Sequence, residues 1–350
     1  MLATAFIPWV RHKLYDLGFL ESRSWDVPVI CVGNITVGGT GKTPFVEMLL
    51  RRYGASKRIA VVSRGYKRRS KGLVEVSVDS LHTEVGDEPL QIKRRFPDVT
   101  VVVDSKRSRA IDMLLARSGD ERPEWIILDD GFQHRAVKPS TGIVLVDSHR
   151  PIDKDRLLPF GRLRDLRSRV LKADAVVVTK MDGWVDDNLA SEWRQRLKLP
   201  HQMPLLFSKI TYQVPVPVFR DEADHRYVYS SRAMVFCGLA SPVALVNYVS
   251  EEYEVLQSFD FPDHHNYTAS DFRKVAKAIK RNPMALLLTT EKDAQRIFRE
   301  PELVPEEIRK RLFYLPIEAV MVPVLPLTTD LVDEEIEAEG YARLDSVINR

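Results

Sequence analysis

Residues 27–50 read VPVICVGNITVGGTGKTPFVEMLL, and this stretch decides the fold. Val29 to Val32 is short, mostly β-branched and bounded by Pro28 and Gly33, as expected of a buried parallel strand. The turn Gly38-Gly39-Thr40-Gly41 lets successive backbone N–H groups converge on an anion. Lys42 adds a point charge, and the Thr43 hydroxyl can bind Mg²⁺. Pro44 suits the first turn of a helix whose positive end faces the phosphates. Thr36 stands where the G-x-x-x-x-G-K-[ST] pattern has its first glycine, so the literal motif fails. Glycine-rich turns also serve as plain connectors, but Gly-Lys-Thr between strand and helix points to a phosphate-binding loop.

Working outward, 350 residues are enough for two cores, since single cores stop growing beyond roughly 250 to 300 residues. Charged residues at 29% and hydrophobic ones at 44% are ordinary for a soluble globular protein. A net charge of +3 does not argue for a nucleic-acid partner. Cys31 and Cys237 both lie in apolar runs and form neither a metal pattern nor a disulfide framework, which fits reduced core thiols in the cytosol.

Apolar strands recur at 58–63, 100–103, 125–128, 143–146 and 175–178, most of them joined by helical segments, which predicts a doubly wound parallel sheet. Several ends of these strands carry chemistry. Arg64-Gly65-Tyr66 and the basic run KRRSK follow the second strand, near the carboxyl edge where ligands gather. Asp87 and Glu88 occupy a turn before a short helix, as a helix cap or as functional acids. The strand at 125–128 runs into Asp129-Asp130-Gly131-Phe132-Gln133-His134-Arg135; a carboxylate there holds Mg²⁺ in phosphate-loop enzymes. Residues 159–169 carry Arg162, Arg164, Arg167 and Arg169, either a solvated face or a phosphate clamp. Thr179-Lys180-Met181-Asp182 is similar to the guanine-reading turn of GTPases.

From 209 to 219 an alternating, proline-containing run suits an edge or linker strand. A βαβαβ-like run follows, predicting a second, smaller α/β domain with Asp263-His264-His265 and Thr290-Glu291-Lys292-Asp293 on its loops. The expected division is 1–20 as an amphipathic helix, 21–208 as the phosphate-loop domain, 209–220 as a linker strand and 221–312 as the smaller domain. Residues 313–350 then return as a strand and helix packed on the first domain. The first 20 residues mix aromatic, aliphatic and basic residues, the composition of a helix lying in a membrane interface. A helix docked on the protein's own core is the other reading. A bilayer span needs about 20 mostly apolar residues, which this stretch lacks.

With the nucleotide loop, GDEP, DDGFQHR, LRD, DHH and TEKD in this order, the chain resembles the tetraacyldisaccharide 4′-kinase family from the N-terminal helix to about Arg296. The resemblance makes Thr36 a family variant of the loop. It implies two α/β/α domains joined by a two-stranded linker, with ATP as cosubstrate and Mg²⁺ as cofactor. The implied acceptor is a lipid-linked disaccharide, tetraacyldisaccharide 1-phosphate, phosphorylated on its 4′-hydroxyl in lipid A biosynthesis. By the same resemblance Lys42 contacts the β/γ-phosphates, Thr43 with Asp129 or Asp130 holds Mg²⁺, and Arg164 steadies the phosphates. Asp165, where the family usually has Glu, falls toward metal or nucleotide. Asp87 is the implied base and His264 of the second domain completes a dyad. Asp263, Tyr66, Arg107, Gln133 and His134 are implied for orientation or substrate contact. The expected location is peripheral, on the cytoplasmic face of the inner membrane of a Gram-negative bacterium, with no nucleic-acid or obligate protein partner. A regulatory GTPase and a kinase of a soluble sugar are the rival readings.

Overall fold

The computed structural model describes residues 2–239, 242–262, 265–325 and 333–349, with side chains described outside 2–8 and 333–337. The chain divides into two compact units, Met1–Thr211 with Glu318–Arg350, and Tyr212–Ile317.

The first unit contains α1 (Leu2–Asp16), β1 (Val29–Gly33), α2 (Lys42–Tyr53), β2 (Ile59–Ser63), β3 (Val74–Glu75), α3 (His82–Val85) and α4 (Asp87–Arg95). It continues through β4 (Thr100–Val103), α5 (Arg107–Leu115), β5 (Trp125–Asp129), β6 (Thr141–Asp147), β7 (Ala175–Thr179), α6 (Asp187–Leu197) and β8 (Leu205–Tyr212). The second unit runs through β9 (Val216–Pro217), β10 (Arg232–Cys237), α7 (Val243–Glu252), β11 (Glu254–Asp260), α8 (Ala269–Arg281), β12 (Leu286–Thr290), α9 (Glu291–Ile297), α10 (Glu306–Arg309) and β13 (Leu312–Leu315). β14 (Ile317–Val322) and α11 (Asp333–Ile348) return to the first.

The first unit's nine strands lie in the order β14-β8-β7-β6-β1-β5-β2-β4-β3. β1 pairs in parallel with both β5 and β6. Successive residues alternate between two cores, as the strand period requires. Ile30 and Val32 join Phe45 of α2, Leu90 of α4 and Leu344 of α11. Val29 and Cys31 join Ile111 of α5 and Trp193 of α6. The sheet is therefore covered on both sides, which is why its strands read as unbroken apolar runs. The order reverses at β1, so the crevice beyond the carboxyl ends of β1, β5 and β6 is the expected ligand position.

Two expectations from the chain pattern are corrected. The 209–219 run is not one edge strand: its first residues close β8, which begins at Leu205 and lies between β14 and β7, while Val216–Pro217 form β9 at the edge of the other sheet. The apolar run 313–324 is not one strand either. Pro316 separates β13 from β14, and the two belong to different sheets; a proline supplies no N–H to continue a ladder.

The second unit has a five-stranded sheet ordered β11-β10-β12-β13-β9, parallel except for β9. Its TEKD stretch starts α9: Thr290 Oγ1 accepts from Asp293 N at 3.1 Å. The Asp293 carboxylate in turn accepts from Gly238 N at 2.9 Å. Asp263 and His264 lie outside the described residues.

Candidate active site

The phosphate-loop candidate leaves β1 through Asn34, which is fully buried and donates to Thr40 Oγ1 at 2.7 Å. Across the next three residues the loop is held as if it were a strand. Val37 N donates to Arg162 O at 2.8 Å and Arg164 N to Ile35 O at 2.8 Å, with Thr36 bridged to Leu163. Thr36 is not among the residues with positive φ, so nothing at this position calls for glycine. Gly41, at φ 81°, turns the chain into α2, with Lys42 and Thr43 in the helix's first turn. Thr40 presents less than expected: its hydroxyl is spent on Asn34 and its N–H donates to Gly38 O at 3.1 Å.

The Thr179–Asp182 turn braces this loop from the other side. Thr179 Oγ1 donates to Thr40 O at 2.9 Å, and Lys180 Nζ donates to Gly39 O at 2.5 Å and Asp147 Oδ2 at 2.8 Å. Asp182 pairs with His149 at 2.9 Å. The residues that suggested guanine reading thus have structural work in this unit.

Facing the loop is the turn after β5. Asp130, at φ 51°, takes a two-pronged contact from Arg164, with Nη1 to Oδ2 at 3.0 Å and Nη2 to Oδ1 at 2.7 Å. Lys42 Nζ lies 3.8 Å from Asp130 Oδ1. Burial works against the charged form, but the hydrogen bonds from Arg164 and the charge of Lys42 hold Asp130 below the usual carboxylate range. Asp129 is the opposite case. It is 1% exposed, and burial, reinforced by Glu88 and Asp130, pushes its pKa up to about 7. Ser63 donates to its Oδ2 at 3.2 Å, while Oδ1 has no hydrogen-bond partner. A buried carboxylate oxygen without a partner, beside a second carboxylate, suits a hard divalent cation. Mg²⁺ is commonly held by one or two carboxylates with substrate phosphates. Among the described residues no group of three or more His, Cys, Asp or Glu forms a protein-only cage.

Cationic groups surround the pair. Arg107 is 6% exposed, reaches Asp130 O only at 3.4 Å and leaves Nε without a partner. Burial and the neighbouring Arg64 lower its pKa. A guanidinium in this condition is suited to an anion. Burial, with Arg107, Arg11 and Arg64, depresses His134 to about 4, which keeps it neutral at pH 7. Asp87 is the first residue of α4, after Gly86 at φ 94°. A Cβ on Gly86 would come within 3.2 Å of Gly65 Cα, so glycine lets the Asp87 turn approach the Arg64-Gly65-Tyr66 turn. Tyr66 is 65% exposed. Arg68, in the basic run, is spent internally, donating to Val103 O at 3.2 Å.

Asp165 is the clear departure. Its Oδ1 contacts His12 Nε2 of α1 at 2.7 Å and accepts from Leu166 N at 2.8 Å, and it is 2% exposed. The carboxylate is thus engaged by α1 and by its own loop. The DDGFQHR turn serves the same helix: Arg135 Nη2 meets Asp16 at 2.8 Å, Arg135 Nη1 meets His12 O at 2.8 Å, and Arg11 reaches Gln133 O at 3.3 Å. Gln133 itself donates to Asn34 O. α1 is therefore docked on its own unit while Trp9, Leu14, Leu17, Phe19 and Leu20 at its exposed side and end stay accessible. Among the described residues no helix is long and apolar enough to cross a membrane. Asn34, Ser63, Glu88 and Arg64 complete the site. Asn34 could have been suspected as a polar residue ending an apolar strand.

Known proteins carry the same pattern. The profile described as LpxK, tetraacyldisaccharide-1-P 4′-kinase, matches residues 2–335. Tetraacyldisaccharide 4′-kinase of Porphyromonas gingivalis is 42% identical over 322 residues, covering 89% of this chain and 88% of its own. That of Flavobacterium johnsoniae is 37% identical over 314 residues, covering 89% and 88%. The "apo" form of LpxK from Aquifex aeolicus, crystallised in complex with ATP, superposes with a TM-score of 0.70 at 28% identity, covering 97% of this chain and 96% of its own.

Proposed function

The chain belongs to the tetraacyldisaccharide-1-P 4′-kinase family, and we propose that its residues divide that family's reaction into holding phosphates, holding a cation and taking a proton. The reaction is ATP-dependent phosphorylation of the 4′-hydroxyl of tetraacyldisaccharide 1-phosphate in lipid A biosynthesis. The observation that carries the assignment of residues is the buried Asp129 beside the partly exposed Asp130, opposite Lys42, with one Asp129 carboxylate oxygen lacking a partner.

Lys42 and the 38–41 turn hold the β- and γ-phosphates. Arg164 lies between Asn34 and Asp130 and steadies the transferring group. Asp129 would hold Mg²⁺, because Asp130 is already engaged by Arg164, and Thr43 would supply a hydroxyl. Mg²⁺, when bound, neutralises charge collecting on the phosphates. Arg107 and neutral His134 face the acceptor, together with Tyr66. Asp87 takes the proton of the 4′-hydroxyl, a contribution of roughly 10²- to 10⁴-fold; His264, the other implied member of the dyad, lies outside the described residues.

An acceptor with four acyl chains stays in a bilayer, so the enzyme works as a peripheral protein at the cytoplasmic face of the inner membrane. The exposed aromatic and aliphatic residues of α1 and the segment after it support a helix lying in the interface. The deciding experiment is transfer of labelled γ-phosphate from ATP to purified tetraacyldisaccharide 1-phosphate, with the product position identified. Label on the 4′-oxygen is expected; transfer to water alone, or to another position, would overturn the assignment.

A further inference from the structure

Residues 155–163, between β6 and β7, form a tight loop whose base belongs to the phosphate site and whose tip does not. Leu163 N donates to Arg156 O at 2.9 Å, Leu158 N to Leu163 O at 2.9 Å and Phe160 N to Leu157 O at 3.0 Å. Asp155 Oδ1 accepts from Arg156 N at 2.8 Å and Arg162 N at 2.9 Å. A Cβ on Gly161 would lie 2.3 Å from Arg156 O, so only glycine closes the turn. This bracing presents two apolar side chains outward, Leu158 at 43% and Phe160 at 62% exposure.

The charge around the tip has one outward sign. Lys154, Arg156, Arg162 and Arg167 are exposed, whereas the acids of the segment are engaged. Asp153 pairs with Arg196 at 3.4 Å, Asp155 takes the two backbone N–H groups, and Asp165 is buried against His12. The loop is also continuous with both functional elements of its unit. Residues 162–164 pair with residues 35–37 of the phosphate loop, and α1 is fastened two residues beyond Leu163, at Asp165.

We infer that the tip of this loop is a second membrane-contacting element. Leu158 and Phe160 enter the boundary between headgroups and acyl chains of an anionic bilayer, and the four flanking cations meet lipid phosphates. The inference rests on the proposed membrane-surface location and adds to it a fixed orientation: one helix tethers the protein, while a second contact sets how the phosphate loop sits relative to the surface. Once α1 is bound, the loop meets the bilayer at high effective concentration, so even a weak contact counts.

The test uses the full chain, sedimented with vesicles of phosphatidylcholine plus phosphatidylglycerol and of phosphatidylcholine alone. Leu158→Ser/Phe160→Ser should lower partitioning about tenfold on the mixed vesicles, given the apolar surface it removes. Arg156→Gln/Arg162→Gln should lose only the added binding to anionic vesicles. Trp184→Ser, an exposed aromatic outside the loop, should bind like the parent, and all three variants should keep the parent's thermal unfolding and ATP affinity. The inference is overturned if the Leu158/Phe160 variant partitions like the parent, or if Trp184→Ser loses as much. A parent that fails to bind either vesicle would overturn the membrane-surface reading as well, so the two failures are distinguishable.

Discussion

Asp129→Asn should make the nucleotide-free protein more stable and, in the same step, inactive. The native fold holds this carboxyl at about 7 against an ordinary 3.8. Between those values the unfolded chain has released a proton that the native state keeps. The native state's advantage from this group is therefore present at low pH and lost as pH rises toward 7. Above that point burying the charge costs at most ~4 kcal/mol. Asparagine is nearly isosteric, can still accept from Ser63 and never carries the charge. In urea unfolding without nucleotide or Mg²⁺, the stability gap between variant and parent should widen by about 2.5 kcal/mol between about pH 5 and about pH 8. Adding Mg²⁺ and ATP should stabilise the parent and reverse its disadvantage, since binding to the native state adds to stability; the variant should respond far less. A gap that does not change with pH would refute the claim that Asp129 is stored as a strained, cation-ready acid.

Asp87→Ala should cut turnover by roughly 10²-fold or more while ATP affinity, read by calorimetry, survives; near-parental turnover would remove Asp87 from the base role. Arg164→Lys should lower kcat/KM for ATP by about tenfold or more, because an ammonium cannot reproduce the two-pronged contact with Asp130; unchanged kinetics would refute its steadying role. His12→Ala leaves Asp165 buried without its partner on α1 and should destabilise the fold by about 1–3 kcal/mol. Equal urea midpoints would show that the contact contributes nothing. His134 binds its proton less readily folded than unfolded, so native stability falls as pH drops from 6.5 toward 4. His134→Gln should flatten that part of the stability profile.

The residues of the first unit show where sequence reading stops. Residues 27–50 carry their own conformation: a β-branched run, a glycine turn and a helix start are local in cause, and local propensity can be read from neighbours in the chain. The same holds for Asp129 and Asp130, placed at a strand end by the apolar run before them. The roles of Gln133, His134 and Arg135 in the DDGFQHR turn were legible only by resemblance, and the Arg135 side chain proved to hold α1.

What the sequence by itself determined was therefore the phosphate loop, the doubly wound sheet and the paired acids at a strand end, because each follows from periodicity and backbone preference in the local sequence. The tertiary structure alone decided which carboxylate faces a cation and which faces a helix. Asp130 and Asp165 each follow an arginine or another acid in a polar stretch, yet one meets Lys42 and Arg164 and the other meets His12. That choice depends on segments 34 to 153 residues away in the chain, and it is the packing of those segments, through burial and charge, that sets whether an acid is spent on the fold or kept for chemistry.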